Sequence, residues 1–126
     1  MRWLVDGMNV IGSRPTGWWH DRTGAMRELV AQLREFAETT GEPLTVVFDG
    51  RPRELGEDPG EVEVAFAPGG RDAADHEIAR RVEADEQPEE IRVVTSDGAL
   101  AERVRAAGAE VVGAGGFRSR LDDLGG

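Results

Sequence analysis

Leu44-Thr45-Val46-Val47-Phe48-Asp49-Gly50 is an apolar, β-branched run closed by an Asp-Gly pair, and the same ending recurs at Asp6-Gly7 after Trp3-Leu4-Val5 and at Asp97-Gly98 after Ile91 to Thr95. Runs of this length and composition read as buried strands. Asp-Gly is a strong hairpin signal, but a two-residue hairpin demands another strand immediately afterwards. After the last pair comes Ala99-Leu100-Ala101-Glu102-Arg103-Val104, a helical pattern, and the other two pairs are expected to enter long loops. The hairpin reading therefore fails on context, and the glycines are expected to let the backbone turn away sharply from the strand ends.

Helical periodicity fills the spaces between these strands. Met26, Leu29, Val30, Leu33, Phe36 and Ala37 recur at three and four, predicting an amphipathic helix from about Thr23 to Thr40 that Gly41 terminates. Residues 12–20, with turn formers and the adjacent Trp18 and Trp19, read as a loop, as do residues 50–60. Val62, Val64 and Phe66 alternate as in a half-buried edge strand, closed by Pro68-Gly69-Gly70. A second helix is predicted from Asp72 to Ala84, with Ala74, Ile78, Ala79 and Val82 facing inward and Asp72 as its natural cap. Ala99 to Ala107 reads as a third helix, Glu110 to Val112 as a last strand and Phe117 to Leu124 as a terminal helix. Strands alternating with helices indicate a three-layer α/β fold around a parallel sheet. With no internal repeat or linker, residues 1–126 read as a single domain.

Composition removes many chemistries. There is no cysteine and only two histidines, which rules out disulfides, thiolate zinc sites and histidine-rich zinc sites, so any bound metal is held mainly by oxygen. All 15 basic residues are arginine, a bias that fits a GC-rich genome, so a Walker phosphate loop and a pyridoxal Schiff base both lack their lysine. A net charge of -10 argues against coating nucleic acid through a bulk positive field, but not against gripping phosphate locally where divalent cations invert the charge of a site. The apolar start is too short for a signal peptide and no stretch approaches the roughly 20 apolar residues of a membrane span, which reads as a cytoplasmic protein without a membrane partner.

In a parallel sheet all strand C-termini share one edge, so Asp6, Asp49 and Asp97 are expected there together. Asp75 belongs to the first turn of the helix after the edge strand, on the same side. Like charges at 4 Å repel by about 1 kcal/mol in water and roughly 4 at an effective dielectric of 20. A hard divalent cation that takes oxygen ligands would relieve this repulsion. Asn9 is suited to orient a carboxylate or bind phosphate oxygen, or simply to form a turn. Ser96 has no triad partner in sequence, since neither His20 nor His76 sits in such a pattern. Arg14, Arg51, Arg53 and Arg71 lie in loops after strand ends, where they serve either to steer phosphate or as solvated charges, and Trp18 and Trp19 either stack unpaired bases or pack as a lid.

Leu4-Val5-Asp6-Gly7-Met8-Asn9-Val10-Ile11-Gly12, Val46-Val47-Phe48-Asp49-Gly50, Ala74-Asp75 and Val94-Thr95-Ser96-Asp97-Gly98 together resemble the YacP-like NYN domains of the PIN-like nuclease superfamily, in family order from Trp3 to Ala107. The resemblance implies a five-stranded parallel sheet of order 3-2-1-4-5 and a metal-dependent endoribonuclease. It assigns Asp6, Asp49, Asp75 and Asp97 to the acidic cluster that binds magnesium or manganese, and Asn9 to the asparagine after the first aspartate. RNA is the implied substrate, in association with the ribosome. Met8 replaces a tyrosine frequent in the family, and the chain is expected to lack the C-terminal extension of longer relatives. Two other functions stay open: an inactive PIN-like module that binds RNA or protein, and a small-molecule phosphatase, for which a strand-borne Asp-x-Asp nucleophile is missing. The sequence is compatible with a dimer and contains nothing that decides the oligomeric state.

Overall fold

A strand with apolar side chains on both faces must be covered on each, and β1 (Arg2–Asp6) is such a strand, with Trp3, Leu4, Val5 and Asp6 all buried. In the computed structural model, which describes residues 1–125, β1 is flanked by β2 (Leu44–Asp49) and β4 (Ile91–Val94), with β3 (Glu63–Ala67) and β5 (Glu110–Val112) outside them. The sheet is parallel throughout and has the order β3-β2-β1-β4-β5. Val5 stands opposite Val46 on one side and Val94 on the other. The chain thus works outward from β1 through β2 to β3 and then returns to the other side of β1, which makes the β1/β4 boundary the switch point.

Alternation along the strands sorts their side chains into two cores. Trp3, Val5, Val46, Phe48 and Val94 pack under α1 (Gly7–Ile11), α2 (Arg22–Thr40) and α5 (Ala114–Gly125). There Phe36 meets both Trp3 and Phe117 edge-on, each at a ring separation of 5.2 Å. On the other face Leu4, Val47 and Val93 meet Ile78 and Val82 of α3 (Ala73–Ala84) and Leu100 and Val104 of α4 (Gly98–Ala106). Among the described residues no helix is long and apolar enough to cross a membrane.

The structure departs from the sequence reading at four helix starts. Asp6-Gly7 opens a five-residue helix, not a loop. Gly and Asn are poor helix formers and five residues are too few to show periodicity, but Val10 and Ile11 are fully buried and tertiary packing outweighs propensity. Helix α2 begins slightly early because the Asp21 carboxylate accepts the Gly24 amide at 2.9 Å. Asp72 caps nothing: its backbone is left-handed, at φ 66°, and its side chain makes no capping bond. Helix α5 begins at Ala114, three residues before the apolar pattern, where the Ser96 hydroxyl accepts the Ala114 amide at 2.9 Å.

Phe117 and Leu124 test how α5 contributes. Phe117 is fully buried against Trp3 and Phe36, whereas Leu124 is 37% exposed. Phe117→Ala is expected to cost about 3–5 kcal/mol in urea unfolding, and Leu124→Ala to stay within about 0.5 kcal/mol. Equal effects would mean that α5 does not close this core.

Candidate active site

The C-terminal edge of the sheet collects the four aspartates by four different routes. Asp6 is the last residue of β1 and Asp49 the last of β2, Asp97 immediately precedes α4, and Asp75 lies in the first turn of α3. The glycines that follow three of them have separate reasons. A Cβ on Gly7 would lie 2.5 Å from the Phe48 ring, so the close approach of α1 to β2 excludes any side chain there. Gly50 has φ 108°, which does require glycine, while a Cβ on Gly98 would meet nothing. Only the second of the three pairs, then, uses a backbone conformation that favours glycine.

Two hydrogen-bonded links close the switch point. The buried Thr95 hydroxyl donates to Asp6 Oδ2 at 3.0 Å and accepts the Asp97 amide at 3.1 Å. Asn9 Oδ1 accepts the Ser96 amide at 2.7 Å, tying α1 to the segment after β4. The Ser96 hydroxyl is itself committed to the start of α5. Asn9 and Ser96 therefore have structural partners, and Thr95, which the sequence reading passed over, joins two of the aspartates. Its only signal in sequence is a hydroxyl residue between a buried run and a helix-capping aspartate.

Two of the carboxylates hold helix ends. Asp49 Oδ1 accepts the Ala74 amide at 3.0 Å, filling at α3 the place expected of Asp72, and Asp97 Oδ1 accepts the Leu100 amide at 2.9 Å at α4. Burial pushes the Asp6 carboxyl up to about 7, the neighbouring Asp75 and Asp49 charges add to the rise, and hydrogen bonds from the Thr95 hydroxyl and the Asn9 backbone N–H oppose it. Asp75 is also raised, first by burial and then by the charges of Asp97, Asp72 and Asp49. The carboxylates therefore feel one another. None of the ten ion pairs among the described residues includes Asp6, Asp49, Asp75 or Asp97.

Among the described residues no three His, Asp or Glu side chains close into a metal cage. A hard cation that keeps several waters, such as magnesium, needs only one or two carboxylates from the protein. Every available donor is an oxygen, and no guanidinium competes for it.

Asp49, Asp72 and Asp75 line an open groove of about 420 Å³ together with Arg22, Arg53 and Arg71. Asp72 and Asp75 also line an adjoining hollow of about 220 Å³ with His76 and Asp97. Another hollow, of about 350 Å³, lies at the opposite edge of the sheet, where Arg2 and Asp85 already pair with each other. Of the arginines read from sequence, Arg53 and Arg71 reach the groove, Arg51 is exposed, and Arg14 pairs with Asp122 of α5 instead. Arg22 was missed; it lies over the Trp18 ring at 5.6 Å, four residues further along the chain. Trp18 packs against the core, whereas Trp19 is 55% exposed.

The family model of the YacP-like NYN domain matches residues 3–125. No curated protein matches the chain. Among solved structures it is similar to Rae1 (YacP) from Bacillus subtilis, at 26% identity and a TM-score of 0.79 over 99% of this chain and 75% of that one. It is equally similar in fold to a single-substitution variant of that protein, at 25% identity and a TM-score of 0.79 over 99% and 76% of the two chains. With a match over nearly its whole length and the sheet order already described, the chain belongs to the YacP-like NYN domains, a family of PIN-like nucleases.

Proposed function

We propose that this protein is an endoribonuclease that hydrolyses RNA phosphodiesters with magnesium or manganese at the Asp6, Asp49, Asp75 and Asp97 edge. The observation that carries the reading is a set of mutually repelling carboxylates with no guanidinium partner, beside a groove whose arginines are also unpaired. When bound, a divalent cation supplies Lewis-acid activation of water and neutralises charge on the attacked phosphate. Asp6, fixed by Thr95, and Asp49 and Asp97, each fixed through one oxygen at a helix start, are the rigid donors. The Asp75 carboxylate makes no hydrogen bond within the described residues and is the one free to orient the attacking water. Asn9 acts by positioning, through its link to Ser96. The cytoplasm is the compartment that goes with an RNA substrate in this reading, and ribosome association is the further partner the family likeness suggests.

One observation favours a second reading, an inactive module that binds RNA or protein: no three carboxylates close into a cage among the described residues. The two readings separate in one assay. Single-stranded and structured RNA are expected to be cut with magnesium or manganese and left intact with chelator, and Asp6→Asn or Asp49→Asn should abolish cutting. Asparagine caps a helix about as well as aspartate, so Asp49→Asn removes charge while keeping the α3 start. Cutting that persists in chelator or in Asp6→Asn would overturn the metal-dependent reading. Co-sedimentation with ribosomes tests that association separately.

The acidic edge also sets a pH dependence in the metal-free protein. Asp6 and Asp75 are both raised, so ionising them opposes folding; for Asp6 this penalty is absent below the ordinary value of 3.8, grows with pH, and is complete above about 7. In chelator the melting temperature is therefore expected to fall from about pH 5 to about pH 8. Asp6→Asn should remove most of that fall, and magnesium should raise the wild-type melt at the upper pH by binding only the folded state. A wild-type melt that climbs across this window would contradict the placement of a buried, uncompensated charge.

A further inference from the structure

Seven of the fifteen arginines are engaged in ion pairs. The other eight enter none among the described residues, although the chain carries 25 acidic residues. Arg22, Arg53 and Arg71 are exposed and share a groove with Asp49, Asp72 and Asp75, yet among the described residues none of the three enters an ion pair. Opposite charges thus face each other across open space in place of closing on one another. The groove, at about 420 Å³, leaves room between them for an anion.

We propose that Arg22, Arg53 and Arg71 form a subsite for a second phosphate of the RNA, one that is held beside the carboxylates and is not cut. The proposal rests on the nuclease reading for the identity of the polyanion, and on separate residues for its geometry. Three chain segments supply the guanidinia: the start of α2, the segment after β2 and the β3–α3 connection. Two of them are held in place. Arg53 donates to the Thr23 hydroxyl at 3.0 Å, and Arg22 lies against Trp18, whose ring packs on the core. Guanidinium is the side chain best matched to phosphate, through paired N–H donors.

The subsite is one-sided. Beyond Asp75, in the adjoining hollow, the cation is Arg103, and it is already bound through two hydrogen bonds to Glu83. Of these two hollows, only the groove on the β2–β3 flank is lined by arginines that enter no ion pair among the described residues. In the groove itself three aspartates balance three arginines. A cation at the carboxylate end would leave the groove with a net positive charge, which suits two successive phosphates better than one. RNA thus lies along one direction from the cut, and a substrate bearing only the scissile phosphate leaves the arginines empty.

The test uses the protein carrying Arg22→Gln and Arg71→Gln, two side chains without hydrogen bonds among the described residues, with circular dichroism and melting to verify the fold. On a single-stranded RNA oligomer KM is expected to rise about tenfold with kcat unchanged. The salt dependence of binding should lose about 0.7 in slope for each phosphate contact removed. Arg22→Lys with Arg71→Lys should restore most of the affinity. A dinucleotide with one phosphodiester should be cut equally by wild type and the Gln variant. Adding a 5′ or a 3′ terminal phosphate, or one further nucleotide, should speed only the wild type, and the three arms show which side is held and whether a terminal or an internal phosphate fills the site. If the folded variant cuts RNA with unchanged KM and salt slope, the subsite is refuted while the nuclease reading stands. If wild type cuts nothing but the variant loses RNA affinity and salt slope, the nuclease reading fails and the phosphate subsite remains.

Discussion

A carboxylate at the buried end of the central strand is the constraint around which the rest of this molecule is arranged. Removing a charge from water is costly unless something answers it, and Asp6 is answered incompletely: one hydroxyl from Thr95 and a nearby amide, set against burial and two like charges. The same hydroxyl accepts the Asp97 amide, so the group that steadies the first aspartate also fixes where the fourth begins its helix. Asn9 repeats the join from α1. The β1/β4 boundary is thus held by polar bonds at the point where the parallel sheet reverses its winding.

Asp49 and Asp97 each serve two purposes. One oxygen of each stabilises a helix start, and the other accepts no hydrogen bond among the described residues. A helix N-terminus carries partial positive charge, so α3 and α4 soften the repulsion that would otherwise accompany the gathering of acids on one edge. Asp75 and Asp6 lie at helix starts as well, but there burial and neighbouring like charges outweigh that support and raise the proton affinity. On the proposed function, stability and activity rest on the same side chains.

Much of the architecture was legible in the sequence because the burial pattern is legible. Period-two and period-four apolar spacing identifies each long strand and helix, and the shared ending of three strands points to one edge. Strand order is a different matter: nothing local in Val46 or Val93 states which neighbour it meets, and the order came from likeness to a family. The helix starts were misread where the cap comes from far along the chain. Asp72 has the right residue type next to α3, but Asp49, 25 positions before the bond it makes at Ala74, takes the role. Arg22 escaped notice because its partners, an aromatic ring and an empty groove, belong to no motif. Thr95 did so because a single buried hydroxyl has no period.

Gly7 sits directly after the first aspartate, and the Phe48 ring occupies the place where its side chain would be. On the proposed function the two positions answer to unrelated constraints, one chemical and one volumetric. A lineage that abandons catalysis is free to exchange Asp6 for another small polar residue. It is not free to enlarge Gly7, because even a methyl group would lift α1 off β2 and take Asn9 with it. In descendants that have become silent as enzymes, the glycine would outlast the acid as the mark of descent.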